Sequence, residues 1–304
     1  MDSLKWRGIH VILTTPFNAD LSLNIEGHRR NVRAAAASGA HVLVALGTQG
    51  EFHSVGMDER MQIAEVTVQE AGGLPVVIGC SHSHTLEAVA LAKHARSAGA
   101  DAVMLTPPYF AQVNAESVKD HTLRVARDAD IGVFLYNAPE RAGFNWTPDL
   151  VLDLAEADDR IIGIKQASSN AQELAETVSL VGTRMAVIGG SEAMIYQTLS
   201  LGMIGCTSTT ASFHAAPFVE IYESVLEDRY VEARDRFMLL APLRSAFKAT
   251  GHAAGVKIGM DMVGLDGGPV RPPLAVPSES ARNMLLKAFD SIGLESRAPA
   301  ATPG

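Results

Sequence analysis

Lys165 closes an apolar run, Ile161-Ile162-Gly163-Ile164-Lys165, that otherwise has the make-up of a strand buried on both faces. A lysine amine is a nucleophile only once it has lost its proton, and at an ordinary pKa of about 10.4 roughly one in a few thousand is free near neutral pH. Apolar surroundings disfavour the ammonium form and bring such groups down to about 7–8, where the amine attacks carbonyls and forms Schiff bases. A lysine in this place therefore suggests covalent carbonyl chemistry. The alternative is a strand-end lysine whose stem covers apolar surface while its head reaches water. Schiff-base chemistry also needs a proton donor and acceptor for the carbinolamine and enamine steps, and donors for a carboxylate. Tyr136, at the end of the preceding apolar run, and the Thr48-Gln49 turn supply these types. Tyr136 is equally readable as an amphipathic core tyrosine, and Thr48 as a polar turn or cap residue.

Groups so far apart in sequence need a scaffold that gathers them. Eight short β-rich runs, at residues 9–14, 41–46, 75–79, 102–106, 132–136, 161–165, 186–188 and 204–207, alternate with helical patterns at 25–38, 57–71, 85–97, 115–128, 148–156, 170–180 and 192–201. Ser38-Gly39, Gly72-Gly73 and Ala98-Gly99 supply the left-handed residue that commonly closes a helix. This alternation predicts a parallel sheet, and eight units favour closure into a (β/α)8 TIM barrel over an open doubly wound sheet. No GxGxxG follows the first strand, where an open dinucleotide fold would place it. From about Pro217 onward only helical patterns remain, at 218–226, 230–248, 253–262 and 279–293, with a Gly- and Pro-rich loop at 264–277 and a frayed tail at 298–304. The expected class is α/β: a (β/α)8 TIM barrel over residues 1–225 with a C-terminal helical domain over residues 226–304.

Composition narrows the partners. A net charge of −9, with Lys and Arg gathered nowhere, argues against nucleic acid or an anionic membrane. Two cysteines, Cys80 and Cys206, cannot build a disulfide framework, and the apolar run at residues 8–13 is too short for a secretory signal. Apolar stretches break well before the ~20 residues of a membrane span. The expected compartment is the cytoplasm.

In a TIM barrel, catalytic groups sit at the C-terminal ends of the strands. Two clusters there invite other chemistry. Cys80-Ser81-His82-Ser83-His84 holds metal-ligand types, but no second ligand cluster accompanies it, and Ser83 or Thr85 is suited to cap the following helix. Gly189-Gly190-Ser191 could cradle a phosphate, though no basic residue joins it and close backbone approach explains the glycines as well.

Gly47-Thr48-Gln49-Gly50-Glu51, Tyr136-Asn137-Ala138-Pro139 followed by Arg141 and Gly143, and Gly163-Ile164-Lys165 closely resemble the motifs of the dihydrodipicolinate synthase and N-acetylneuraminate lyase family. The resemblance runs from Gly8 through Pro217 and more weakly over the helical tail. It implies a homo-oligomer, a dimer of dimers, that binds pyruvate or another 2-keto acid as an imine and uses neither a metal nor an organic cofactor. By position, Lys165 resembles the Schiff-base lysine, Tyr136 the tyrosine that relays protons at the imine, and Thr48 the relay threonine. Gln49 stands where most members hold the keto-acid carboxylate with Thr or Ser. Arg141 matches the arginine that grips the carboxylate of aspartate semialdehyde, and Gly190 and Thr207 match pocket-lining positions. Phe110 stands where the synthase branch has a tyrosine contributed across a subunit interface, and a phenyl ring passes no proton. At the positions that bind feedback-inhibiting lysine in some synthases stand Phe52, His53, Met57 and Arg60, with only Glu87 matched, so feedback control is not expected. The resemblance implies a Schiff-base lyase condensing pyruvate with an aldehyde acid such as aspartate semialdehyde. The alternatives are an aldolase or dehydratase acting on a 2-keto-3-deoxy sugar acid, or a non-catalytic keto-acid-binding homologue.

Overall fold

The strands are β1 (Gly8–Ile12), β2 (Val42–Ala45), β3 (Val76–Gly79), β4 (Ala102–Leu105), β5 (Gly132–Asn137), β6 (Ile161–Gln166), β7 (Ala186–Gly189) and β8 (Gly205–Ser208). Each pairs in parallel with the next, and β8 returns to β1, so the sheet closes into an eight-stranded barrel. The computed structural model describes residues 3–295, and the tail expected at 298–304 lies outside them.

Side chains alternate across each strand. Ile12, Val42, Val44, Val77, Met104, Phe134 and Ile188 fill the barrel interior, while Ile9, Val11, Leu43, Ile78, Leu105, Leu135 and Ile164 face the surrounding helices. Trp6, just before β1, joins the interior cluster with its ring 5.0 Å from that of Phe134, edge to face. Burying each such side chain contributes about 1.5–3 kcal/mol. β5 and β6 depart from regular pairing: Val133 lies opposite Ile161 but Phe134 opposite Gly163, so Ile162 is an extra residue on β6. The space for this crowding comes from Gly163, where a Cβ would lie 2.2 Å from the Phe134 ring.

The helices between strands are α1 (Ile25–Ala36), α2 (Met57–Glu70), α3 (Thr85–Ala98), α4 (Ala115–Ala129), α5 (Pro139–Ala142), α6 (Pro148–Ala157), α7 (Ala171–Val181) and α8 (Ile195–Ser200). Asn24, Asn114 and Asn170 cap α1, α4 and α7 with side-chain carbonyls, and Gly99 (φ 96°) closes α3 in the left-handed region. After β8 come α9 (Ala216–Leu226), α10 (Tyr230–Leu239), α11 (Ala241–Thr250), α12 (His252–Met262) and α13 (Glu279–Ser291).

Three expectations are corrected. The helix expected at 230–248 is two, because Pro242 has no amide hydrogen and occupies the first turn of a new helix, α11. The short α5, opened by Pro139, was not expected at all. Neither Ser83 nor Thr85 caps α3: the cap position is His84, the Ser83 hydroxyl donates to the Tyr109 carbonyl, and that of Thr85 meets His121 Nδ1. No described helix is long and apolar enough to cross a membrane.

Candidate active site

A cavity of about 290 Å³ opens at the C-terminal ends of the strands, lined among others by Thr48, Gln49, Tyr136, Arg141, Lys165, Gly190 and Thr207. All seven residues singled out from the sequence meet there, drawn from five different strand ends.

Lys165 and Tyr136 are register partners on β6 and β5. Lys165 is 4% exposed, and its Nζ lies over the Tyr136 ring, 4.0 Å from the centroid. A cation on a ring face is held by the ring quadrupole, so the amine is directed toward the phenol. The Tyr136 oxygen is 3.5 Å from Thr48 Oγ1, across the barrel mouth on the turn after β2. Burial alone pushes the Tyr136 phenol up, but Lys165, the Thr48 hydroxyl and the Arg141 guanidinium together outweigh it and hold the phenol below its ordinary value. A phenol so placed can hand a proton to, or take one from, an atom bonded to Lys165.

Thr48 and Gln49 sit on a tight turn (Thr48–Gly50) flanked by Leu46 and Glu51, both in the left-handed region. The turn is tied to the segment following β1 by Thr15, whose hydroxyl donates to the Gly50 carbonyl at 2.6 Å. Arg141 stands on α5, exposed at the mouth, where a guanidinium can receive a carboxylate entering from solvent. Gly190 has a packing cause: a Cβ there would lie 2.6 Å from Ala167 Cβ, at the end of β6. The Thr207 hydroxyl donates to the Gly189 carbonyl at 3.1 Å, so it braces the wall as well as lining it.

Among the lining residues not singled out from sequence, two form a charged pair. Glu192 is buried, and its carboxylate accepts from the hydroxyls of Ser208 and Thr210 and the amides of Thr209 and Thr210. Burial pushes its pKa up, but His252 and these hydroxyls prevail and bring it to about 2. His252, at the start of α12, places Nε2 3.6 Å from Glu192 Oε1. The run Ser208-Thr209-Thr210 at the end of β8, rich in donors, was the only sequence hint of a buried anion nearby.

The Cys80 to His84 cluster turns to local roles. Cys80 is buried and its thiol is pushed up to about 12 by desolvation, and His82 Nδ1 accepts the His84 amide at 3.0 Å. Among the described residues no group of three or more His, Cys, Asp or Glu is placed to hold a metal ion. Phe110 is 105% exposed at φ 71° and does not line the cavity.

Comparison with known proteins places this architecture. A model of the dihydrodipicolinate synthetase family matches residues 5–292. The chain is 33% identical over 293 residues to a 4-hydroxy-tetrahydrodipicolinate synthase of Methanothrix thermoacetophila, covering 95% of this chain and 99% of that one. It is 34% identical over 284 residues to the enzyme of the same name from Methanospirillum hungatei, covering 92% and 97%. Among solved structures it is similar to dihydrodipicolinate synthase from Aquifex aeolicus, with a TM-score of 0.92, 25% identity and 96% and 100% coverage. It is also similar to a prophage protein of the dihydrodipicolinic acid synthase family from E. coli K12, solved in complex with pyruvate, with a TM-score of 0.90, 26% identity and 95% and 99% coverage. With the family model spanning nearly its whole length, the chain belongs to the dihydrodipicolinate synthetase family.

Proposed function

We propose that this protein is a Schiff-base-forming lyase that condenses pyruvate with an aldehyde acid such as aspartate semialdehyde. The observation that carries the reading is the buried Lys165 amine directed onto Tyr136, whose phenol meets Thr48, within one cavity. The names of its relatives support the same reaction, and pyruvate in a related structure supports the first substrate.

The geometry supports the following reaction. The free amine of Lys165 adds to C2 of pyruvate, and Tyr136, with Thr48 behind it, delivers the proton that lets the carbinolamine lose water. Loss of a methyl proton from the imine gives an enamine, whose C3 attacks the aldehyde carbon and forms the new carbon–carbon bond. The amino group of the condensed semialdehyde then attacks C2 and displaces Lys165, closing a ring and freeing the enzyme. Gln49 donates amide hydrogens to the pyruvate carboxylate, and Arg141 receives the carboxylate of the second substrate. Gly190 and Thr207 shape the wall beside the imine. The chemistry proposed here uses no metal or organic cofactor.

A second reading has its own support. The wall beyond Lys165 is hydroxyl-rich, with Ser168, Ser169, Ser191 and Thr209, and suits a polyhydroxylated 2-keto-3-deoxy sugar acid cleaved or dehydrated through the same imine. We assign the protein to the cytoplasm on its two free, buried cysteines. We also propose a homo-oligomer, a dimer of dimers, since a phenyl ring fully in water at Phe110 costs less once a partner covers it.

Borohydride reduction in the presence of pyruvate tests the imine: a mass adduct on Lys165 is expected, and its absence refutes the reading. Pyruvate-dependent consumption of aspartate semialdehyde, set against turnover of 2-keto-3-deoxy acids alone, separates the two substrate classes. An adduct without turnover of either class would instead mark a non-catalytic keto-acid-binding protein.

A further inference from the structure

The turn that carries Thr48 and Gln49 is held from the far end of the sequence. Glu51, which closes it at φ 55°, is fully buried, and a non-glycine residue stays in that region only where its surroundings fix it. One carboxylate oxygen of Glu51 accepts the Arg271 amide at 2.9 Å. The other pairs with Lys257 Nζ of α12, whose side chain is 1% exposed. The Lys257 ammonium also donates to the Pro269 carbonyl at 2.7 Å and rests over the Phe17 ring, 4.3 Å from the centroid. The Arg271 guanidinium lies over the same ring at 4.0 Å and donates to the Ser54 and Leu21 carbonyls and the Glu59 carboxylate. The backbone comes equally close: a Cβ on Gly268 would lie 2.4 Å from the Phe17 carbonyl oxygen.

A buried ion pair rarely adds net stability over apolar residues of the same shape, and its best-attested use is to fix a register. Here the register in question is that of the turn facing the cavity. The 3.5 Å between Thr48 Oγ1 and the Tyr136 oxygen is at the outer limit of a hydrogen bond, so a shift of a few tenths of an ångström in the turn breaks or makes it.

We infer that Glu51 and Lys257 are positioning residues: their ion pair pins the Thr48-Gln49 turn against the barrel mouth and makes the C-terminal helices part of the catalytic geometry. The inference rests on the imine reading above. Neither residue touches the substrate, and both act on imine formation through Thr48.

A double-mutant cycle tests this. Lys257→Met alone strands a buried carboxylate, so the charge-free pair Glu51→Gln with Lys257→Met is used, its fold checked by circular dichroism. Glu51→Gln alone serves as a second variant in the same cycle. Timed borohydride quenching with pyruvate reads the rate of imine formation on Lys165. The charge-free pair is expected to slow that rate about tenfold in the native background but less than twofold in a Thr48→Val background, with the final extent of adduct unchanged. Equal losses in both backgrounds, or a native rate in the charge-free pair, would overturn the positioning role. A native chain that forms no adduct at all would overturn the imine reading, and this inference with it.

Discussion

Replacing Tyr136 by phenylalanine deletes one oxygen atom and leaves the ring on which Lys165 rests. In the native protein that ring centroid is 4.0 Å from the amine and its oxygen 3.5 Å from Thr48 Oγ1. The cation–ring contact, about 0.5–2 kcal/mol, survives the change. What disappears is the proton path between the substrate atoms and Thr48. A positioned acid–base group contributes about 10²–10⁴ in rate, which corresponds to about 3–5 kcal/mol of barrier. Tyr136→Phe should therefore fold normally and still accumulate the borohydride-trapped pyruvate adduct on Lys165, because the nucleophile and its pocket remain. Both the rate of adduct formation, by rapid quench, and kcat for pyruvate with the accepting aldehyde should fall by about 10²–10⁴. A loss under fivefold in both rates would show that the phenol carries no proton and would refute this reasoning.

Three further outcomes follow from the same geometry. Arg141→Met should raise KM for the aldehyde acid by about 10- to 100-fold, the loss of one charge-assisted contact, with pyruvate trapping unchanged. It should also move the Tyr136-dependent alkaline limb of the pH–rate profile upward, because one of the cations holding that phenol low is gone. Gly163→Ala places a Cβ 2.2 Å from the Phe134 ring and should cost at least about 1–3 kcal/mol by urea denaturation, with slower imine formation because Lys165 is two residues away. Glu192 is ionised far below its ordinary range, at about 2, so its stabilising contribution is full above the unfolded pKa near 4.5 and is lost as pH falls toward 2. Glu192→Gln should then lack up to about 3 kcal/mol of the acid destabilisation between pH 5 and pH 2 that the native chain shows in denaturant titrations. Equal acid sensitivity of the two chains would contradict this.

The barrel was legible in the sequence because its strands are short apolar runs at even spacing and its helices end in glycines that the left-handed region requires. Strand ends were a usable shortlist for the same reason, since closure of the barrel brings Thr48, Tyr136 and Lys165 to one mouth wherever they lie in the chain. Less legible was anything fixed by contacts between distant segments. Lys257 on α12 has no local pattern to distinguish it from a surface lysine, yet it is among the most buried large side chains. Glu192 looked like the start of a helix, and its role as an anion is set by donors on the turn after β8. His252 gave no signal, because only the approach of α12 to that carboxylate gives it meaning. The break at Pro242 is marked by the proline but masked by a helical periodicity that runs on through both α10 and α11.

The extra residue on β6 has a consequence for whether this chain can have a nucleophile. Side chains along a strand obey parity, so from Ile161, which faces the helices, strict alternation would send Lys165 outward as well. Ile162 breaks the count: Ile164 faces the helices, and Lys165 faces the interior beside Tyr136. Deleting Ile162 would leave Ile161 outward, Gly163 inward, Ile164 outward and Lys165 inward in regular alternation, whereas drawing Ile162 into the pairing of the full-length strand would turn either Ile161 or Lys165 to the wrong side. The ability to form an imine therefore depends on this one irregularity in pairing as well as on the identity of a lysine.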